Sequence, residues 1–423
     1  MWTFTKLGSL AEFKNGLNFS RNNWGHGLKV IGVTDFQGYF YPKYSDVEEI
    51  NPAGVVRPAD YLEEEDILFV RSNGNRRLIG RSLFIKHLPE KMSHSGFTIR
   101  LRFKSKRVFP LFYAYLFKSS LIRSVLSIYG GGTNINNLNQ QILMNLDVPL
   151  PSYTTQHKIA AILSAYDELI ENNKRRIFLL EKLAEEIYRE WFVRLRFPGH
   201  ENLKVVKGVP SGWEVRTVGS FANEIKRGIK KKNLADDEKY VGLEHIPRHS
   251  IALKTWTTAD SVESDKLLFQ ERDILFGKIR PYLHKVAITH FAGACSSDTI
   301  VLRPKEKCYE GYLLFTVFSD TFVELATVAS KGTKMPRADW GFLKRLQLIV
   351  PPQELLEPYQ AQFDLVFAQI VNLLRCSRLL STSRDLLLPR LISGKLSVEN
   401  LDIQFPPGMM QELDQSSDLT HHA

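Results

Sequence analysis

From Thr155 to Phe192 the chain places an apolar side chain at every third or fourth position. Ile159, Tyr166, Asn173, Leu180 and Ile187 fall seven apart, and Leu163, Ile170, Ile177, Ala184 and Trp191 repeat the spacing four residues behind. Only Asn173 in these two rows is polar, and the positions between them are rich in Lys, Arg and Glu. This is the pattern of a helix that lays a narrow stripe against one long partner helix. At 1.5 Å per residue the stretch makes a rod of about 57 Å, longer than one compact domain needs. Thr154 or Thr155 is expected to cap its start, and Phe197-Pro198-Gly199 its end. His157 is expected at the surface. Tyr188, Trp191 and Phe192 are expected to pack as core. Asn173 fits either a register-setting hydrogen bond across a helix pair or a wet gap in the stripe.

A twin supplies the partner. At a constant offset of 200 residues, Leu143, Leu146, Pro151, Ile170, Asn172, Arg175, Leu179 and Leu180 recur as Leu343, Leu346, Pro351, Ile370, Asn372, Arg375, Leu379 and Leu380. The second helix is expected from Gln353 to about Leu388, with Tyr359, Phe363, Val366, Ile370, Leu373, Leu380, Leu387 and Leu391 on its stripe, and Pro389 kinking or ending it. The preceding segments repeat as well. Leu7-Gly8-Ser9-Leu10 is echoed by Val218-Gly219-Ser220-Phe221, and Asp66-Ile67-Leu68-Phe69 by Asp273-Ile274-Leu275-Phe276. A period this long is a duplicated domain plus helix. Short apolar runs at 28–33, 66–70 and 96–103 read as strands, the last with apolar residues inward and polar or basic ones outward. Residues 110–128 have helical spacing. The fold class is therefore α+β, with five segments: a domain at 1–150, a long helix at 151–198, a second domain at 199–350, its helix at 351–400, and a polar tail at 401–423. The two helices are expected to pack as an antiparallel coiled coil, which relates the two α/β domains by a pseudo-two-fold axis.

The net charge of +10 lies in two blocks. Residues 1–150 hold 19 Lys/Arg against 12 Asp/Glu, and residues 201–350 hold 24 against 18. Two basic domains suggest a polyanionic partner, with nucleic acid first, and two such domains spaced by an antiparallel helix pair fit the two-fold symmetry of double-stranded DNA. No run of about 18 apolar residues is present, so no membrane span is expected. The N-terminal residues lack the apolar core of a signal peptide, and three cysteines suit neither a disulfide framework nor a structural zinc site, which fits a cytoplasmic protein. No phosphate loop, dinucleotide fingerprint or amino-methyltransferase segment occurs. Glu12-Phe13-Lys14 and Asp237-Glu238-Lys239 match the short end of a nuclease motif, a triplet that arises by chance in charged chains. No catalytic residue, metal ligand or cofactor is assigned to the chain.

Candidate DNA contacts follow from side-chain chemistry. Arg and Asn read guanine and adenine bidentately, and Lys and Arg grip phosphates. Arg71, Asn73, Asn75, Arg76 and Arg77 follow a strand. Lys278, Arg280 and Lys285 are their counterparts by the Asp66/Asp273 match. Thr133 and Asn134, and Lys331, Thr333, Lys334 and Arg337, lie on loops before the last strand of each domain. Lys226, Arg227, Lys230 and Lys231 belong to the densest basic run. Ser93-His94-Ser95 and Ser296-Ser297-Asp298 occupy matching places, and either also fits a plain strand cap. Helix pairing or subunit docking is assigned to Ile159, Leu163, Tyr166, Ile170, Asn173, Ile177, Leu180, Ile187 and Trp191, with Phe363, Ile370, Leu380 and Leu387.

The segments Pro149–Trp191 and Arg384–Lys395, with Pro210-Ser211-Gly212-Trp213 opening the second half, make the chain resemble the specificity (S) subunits of type I restriction-modification complexes. The first half departs from that pattern in opening on Trp2 without a preceding Pro-x-Gly. The resemblance implies a subunit that catalyses nothing. Each domain would read one half of a bipartite, asymmetric DNA site, while the helices set the spacer and dock two methyltransferase subunits. S-adenosylmethionine, ATP and Mg²⁺ would belong to those subunits and to motor-nuclease subunits. Two other readings remain open: a stand-alone nuclease or methyltransferase with its own readers, and a coiled-coil assembly protein with no DNA role.

Overall fold

The computed structural model describes residues 2–20, 23–36, 40–72, 78–129, 138–330 and 335–405. The chain divides into two compact units, Met1–Leu169 with Leu380–Ala423, and Ile170–Leu379. Of the tail expected at 401–423, the part beyond 405 lies outside the described residues. No single described helix is long and apolar enough to cross a membrane.

Unit 1 contains β1 (Thr3–Lys6), β2 (Ala11–Asn15), β3 (Trp24–Ile31), β4 (Glu49–Ile50), β5 (Ile67–Val70), β6 (Ser82–Phe84), β7 (Met92–His94) and β8 (Thr98–Phe103). These are followed by α1 (Pro110–Lys118), α2 (Ser120–Tyr129), α3 (Gln140–Met144), β9 (Asp147–Leu150) and the first half of α4 (Tyr153–Tyr188). An antiparallel sheet has the order β2-β8-β5-β6, a smaller one the order β4-β3-β7, and β1 pairs with β9. The larger sheet packs on α1, whose Phe112, Tyr113, Leu116 and Phe117 are buried.

Strand β8 departs from its sequence reading. Ile99 and Leu101 point inward as expected, but Arg100 is only 3% exposed. The segment from Ala59 to Asp66 covers the face that alternation alone would leave to solvent. Arg100 donates to the carbonyls of Ala59 and Tyr61. Arg102 grips the fully buried carboxylate of Asp66 through Nε and Nη2, each at 2.7 Å, and Asp66 also accepts from the Glu63 amide.

Three further differences have local causes. Helix α4 starts at Tyr153, because the Ser152 hydroxyl, not Thr154 or Thr155, accepts the Thr155 amide. His157 is buried rather than at the surface, with ring centroids 4.6 Å from Phe109 and 4.5 Å from Phe405. Pro389 does not end the second long helix, which runs on to Ile392. A mid-helix proline costs about 3 kcal/mol. Leu391 and Ile392 just beyond it are 1% and 2% exposed in the unit 1 core, and each such burial contributes about 1.5–3 kcal/mol.

Unit 2 contains β10 (Val205–Val206), β11 (Val209–Pro210), β12 (Glu214–Thr217), α5 (Val218–Phe221), β13 (Ala222–Glu224), β14 (Gly228–Ile229), β15 (Lys239–Val241), β16 (Thr257–Thr258), β17 (Lys266–Phe269) and β18 (Ile274–Gly277). It continues with β19 (Val286–Ile288), β20 (Gly293–Cys295), β21 (Thr299–Pro304), α6 (Glu310–Phe318), α7 (Asp320–Val328), α8 (Trp340–Leu343), β22 (Gln347–Val350) and most of α9 (Gln353–Ile392). Its sheets have the orders β13-β21-β18-β19 and β14-β17-β20-β15-β16, and β12 pairs with β22.

The duplication extends to single hydrogen bonds. Arg303 grips the buried Asp273 through Nε and Nη2 at 2.6 and 2.8 Å, as Arg102 grips Asp66. The Gln156 side chain accepts the Phe109 amide at 2.8 Å, and Gln360 accepts the Gly311 amide at 2.8 Å. The Tyr113 hydroxyl donates to Pro149, and that of Tyr312 to Ile349. Gly8 and Gly219 each sit where an added Cβ would lie 3.1 Å from a carbonyl oxygen, of Met144 and Lys344 respectively.

The helical stripe is buried within each unit. In unit 1, Ile159 and Leu163 are fully buried alongside Leu391. Asp167 pairs with Arg384, and Lys158 donates to the carbonyls of Glu399 and Leu401, so the two helical segments there run antiparallel. In unit 2, Ile177, Ala184 and Trp191 share a core with Tyr359, Phe363, Ile370 and Leu373. Trp191 and Phe192 pack on Tyr359 with ring centroids 5.8 and 4.7 Å away, and Tyr188 lies 5.7 Å from Phe315, so all three aromatics are core as expected. Tyr166, Ile170, Leu180, Ile187, Leu380 and Leu387 are half-buried. Asn173 is 7% exposed and makes no side-chain hydrogen bond among the described residues, so the register-setting bond does not form there. The helix loosens at its end into a π-helical turn, Arg189–Val193.

Two outcomes are expected. Asp66→Ala removes one partner of a buried ion pair and should lower unfolding free energy by on the order of 3 kcal/mol, read as a lower midpoint in urea; an unchanged midpoint contradicts the assignment. His94, 1% exposed, sits 2.8 Å from Thr98 Oγ1, whose hydroxyl donates to Ser95. Burial holds its pKa down to about 3. The unfolded side chain titrates near 6.5, so below that pH the unfolded chain takes up a proton that the folded one refuses. The contribution is present above pH 6.5 and is lost as pH falls toward 3. His94→Gln should therefore lessen the drop in melting temperature between pH 7.5 and 5, and an equal drop would rule this out.

Candidate nucleic-acid interface

One loop scaffold occurs in both units. In unit 1, β5 ends at Val70, and the Arg71 amide donates to the Phe97 carbonyl at 2.8 Å. The Arg71 carbonyl accepts the Leu138 amide at 2.9 Å. In unit 2, β18 ends at Gly277, the Lys278 amide donates to the Asp298 carbonyl at 2.8 Å, and the Lys278 carbonyl accepts the Ala338 amide at 2.9 Å. Three sequence-distant stretches thus meet at one end of each sheet: the residues after the Asp-Ile-Leu-Phe strand, the turn at 95–97 or 296–298, and the loop before the last strand. These are the places where the sequence put its contacts in Arg71, in Lys278 and Arg280, and in Arg337.

The side chains on that scaffold differ. In unit 1, Arg71 is half-buried, and its Nη1 donates to the Gly96 carbonyl at 3.2 Å. Phe97 beside it is 63% exposed. Asn73, Asn75, Arg76, Arg77, Thr133 and Asn134 lie outside the described residues. In unit 2, Arg280 is exposed at φ +52°, its amide donates to Pro336, and Ile279 bridges to Arg337. Arg337 lies 3.4 Å from Asp298. Tyr282 nearby in sequence is 53% exposed. Lys331, Thr333 and Lys334 lie outside the described residues.

Other assigned residues are held elsewhere. Lys285 is half-buried and donates to the Leu243 carbonyl at 2.5 Å; burial and the nearby Arg248 pull its pKa down. It braces the loop instead of projecting from it. Lys226 pairs with Glu224, and Lys231 Nζ with the Ala259 carbonyl and Asp236. Arg227 and Lys230 are exposed and flank β14, in a different sheet from Lys278. Of the nuclease-like triplets, Glu12 is taken by Lys104 and Lys14 by Asp60.

Phe97 and Tyr282 were not singled out as contacts from sequence. Phe97 reads there as one more residue of an alternating strand. The structure places it on the turn before β8, where the pairing of Arg71 turns it outward.

The sequence model of the family described as "Type I restriction modification DNA specificity domain" matches residues 1–182 and 210–362. The chain is 28% identical over 420 residues to the type I restriction enzyme MjaIX specificity subunit of Methanocaldococcus jannaschii, covering 95% of this chain and 94% of that one. It is 31% identical over 125 residues to the EcoKI specificity subunit of Escherichia coli, covering 30% and 26% of the two chains. Among solved structures, the S subunit of a type I restriction-modification system from M. genitalium shares the fold, with a TM-score of 0.55 at 15% identity over 92% of this chain and 96% of that one.

Proposed function

Because the chain belongs to the type I restriction-modification DNA specificity family, we propose that it is the subunit that reads a bipartite DNA site, one half per unit. The observation that carries this reading is the loop scaffold repeated in both units with different side chains on it. Equal backbone bonds hold Arg71 beside Phe97 in one unit and Lys278 beside Asp298 in the other. A repeated scaffold supports two contacts of the same kind, and unlike side chains support two unlike half-sites. Arg280 and Arg337 join Lys278 in the second reader. Arg227 and Lys230 grip phosphates and carry no sequence information.

Most of the stripe residues of the long helices are spent in their own cores. A partner subunit is left the exposed apolar side chains Phe178, Leu179, Leu183, Leu365 and Leu379, each at least 49% exposed. We assign these to docking of methyltransferase subunits. On this reading S-adenosylmethionine, ATP and Mg²⁺ act in methyltransferase and motor-nuclease partners, and this chain contributes recognition alone. Helices of 36 and 40 residues, about 54 and 60 Å long, set the unread spacer.

Two experiments test this. In the complex with the partner methyltransferase, Lys278→Ala with Arg280→Ala should weaken DNA binding by about 1–3 kcal/mol per base contact and relax one half of the methylated motif only; relaxation of both halves would refute the division of labour. Inserting seven residues into α4 together with seven into α9 adds about 10 Å, or about three base pairs, to the spacer. An assembled complex with an unaltered spacer would show that the helices are not the ruler.

A further inference from the structure

Three side chains that take no part in the loop contacts converge at the far end of the same loop. His249, His284 and Asp320 place a ring nitrogen, a ring nitrogen and a carboxylate oxygen within 4.8 Å of one another. His284 is 4% exposed, and its Nε2 lies 2.7 Å from the Phe318 carbonyl. A carbonyl only accepts, so Nε2 carries the proton and donates. Nδ1 is then turned toward Asp320 Oδ1, 3.4 Å away. That distance is long for a charge-assisted N–H···O bond, which closes to about 2.7–2.9 Å. It matches the ligand–ligand edge of about 3.3–3.4 Å around a tetrahedral zinc ion with bonds of about 2.0–2.1 Å. A histidine whose distal N–H is anchored on a backbone carbonyl is the usual outer-shell arrangement of a metal ligand. The His249 ring lies 4.2 Å from that of His284, and the His249 amide donates to the His284 carbonyl. Both histidines are held at positive φ, +49° and +51°, a backbone conformation uncommon for residues other than glycine.

We propose that His249, His284 through Nδ1, and Asp320 bind a divalent transition-metal ion of the zinc class, with water in the fourth position. The ion ties three segments together. His249 belongs to a loop bridged through Arg248 to Lys285, just ahead of β19. His284 ends the turn that begins at Arg280, and Asp320 opens α7. If the DNA reading above holds, the ion stiffens the loop that presents Lys278 and Arg280; metal binding itself does not depend on that reading.

The test uses the full chain, stripped with a chelator and dialysed, without DNA. Co²⁺ is titrated with visible absorption as the readout, and Zn²⁺ by calorimetry. One equivalent with the absorption of tetrahedral Co²⁺ is expected. His249→Ala and Asp320→Asn, both at exposed positions, should weaken that equivalent at least about 10-fold. A double variant at His421 and His422 should leave it intact, which separates it from binding by the terminal histidines. Absence of the tetrahedral signal, or its persistence in both ligand variants, overturns the site. DNA affinity with and without the ion is measured separately. An unchanged affinity in a chain that binds the metal leaves the site standing and overturns its link to the loop.

Discussion

A long helix cannot hide a continuous apolar stripe by itself, and the burial of that stripe governs how this chain is assembled. Ile159 and Leu163 lie in one core and Ile177, Ala184 and Trp191 in the other, and α9 divides its own side chains in the same way. Each unit therefore takes the beginning of one helix and the end of the other. A residue-level consequence is visible at Pro389. A helix breaker is tolerated where it stands because Leu391 and Ile392 beyond it complete the unit 1 core.

On top of this frame the two units are built from one set of polar pins. Asp66 with Arg102 and Asp273 with Arg303 fix the strand before the candidate contact loop. The amide-to-carbonyl bonds of Arg71 and Lys278 fix the loop itself. Buried ion pairs of this kind add little net stability but penalise any arrangement that leaves one partner alone. What they secure is position. The backbone is held, and the side chains it presents are free to differ.

Features that rest on periodicity were legible in the sequence, because apolar spacing is a local property. The two rods, the duplication, the α+β class and the strand from Ile67 follow from it. Features that depend on what a third segment covers were not. Arg100 reads as outward until the segment at 59–66 closes over it. His157 reads as a surface residue until Phe405, nearly 250 positions away, packs on its ring. Ser152 outcompetes two threonines as cap by one turn of register. For the candidate site, chemistry picked out Arg71, Lys278, Arg280 and Arg337, and the structure brings the loops that carry them to one end of each unit's sheet. Chemistry could not reveal that Lys285 is spent on the Leu243 carbonyl or that Phe97 faces outward. The pairing of His249 with His284 has no sequence signal, since it depends on two left-handed residues brought together by a β-bridge.

The division of the chain also bears on its synthesis. Unit 2, Ile170–Leu379, is continuous and complete once its last residue has emerged, whereas unit 1 needs Leu391, Ile392 and Val398 in its core. The amino-terminal unit must therefore wait for the 210 residues between Leu169 and Leu380. At about 5–20 residues per second that wait is roughly 10–40 s. Of the two units, the one begun earlier is the later to be finished. A chain broken off after Leu379 keeps every residue of its second unit and loses the seal of its first.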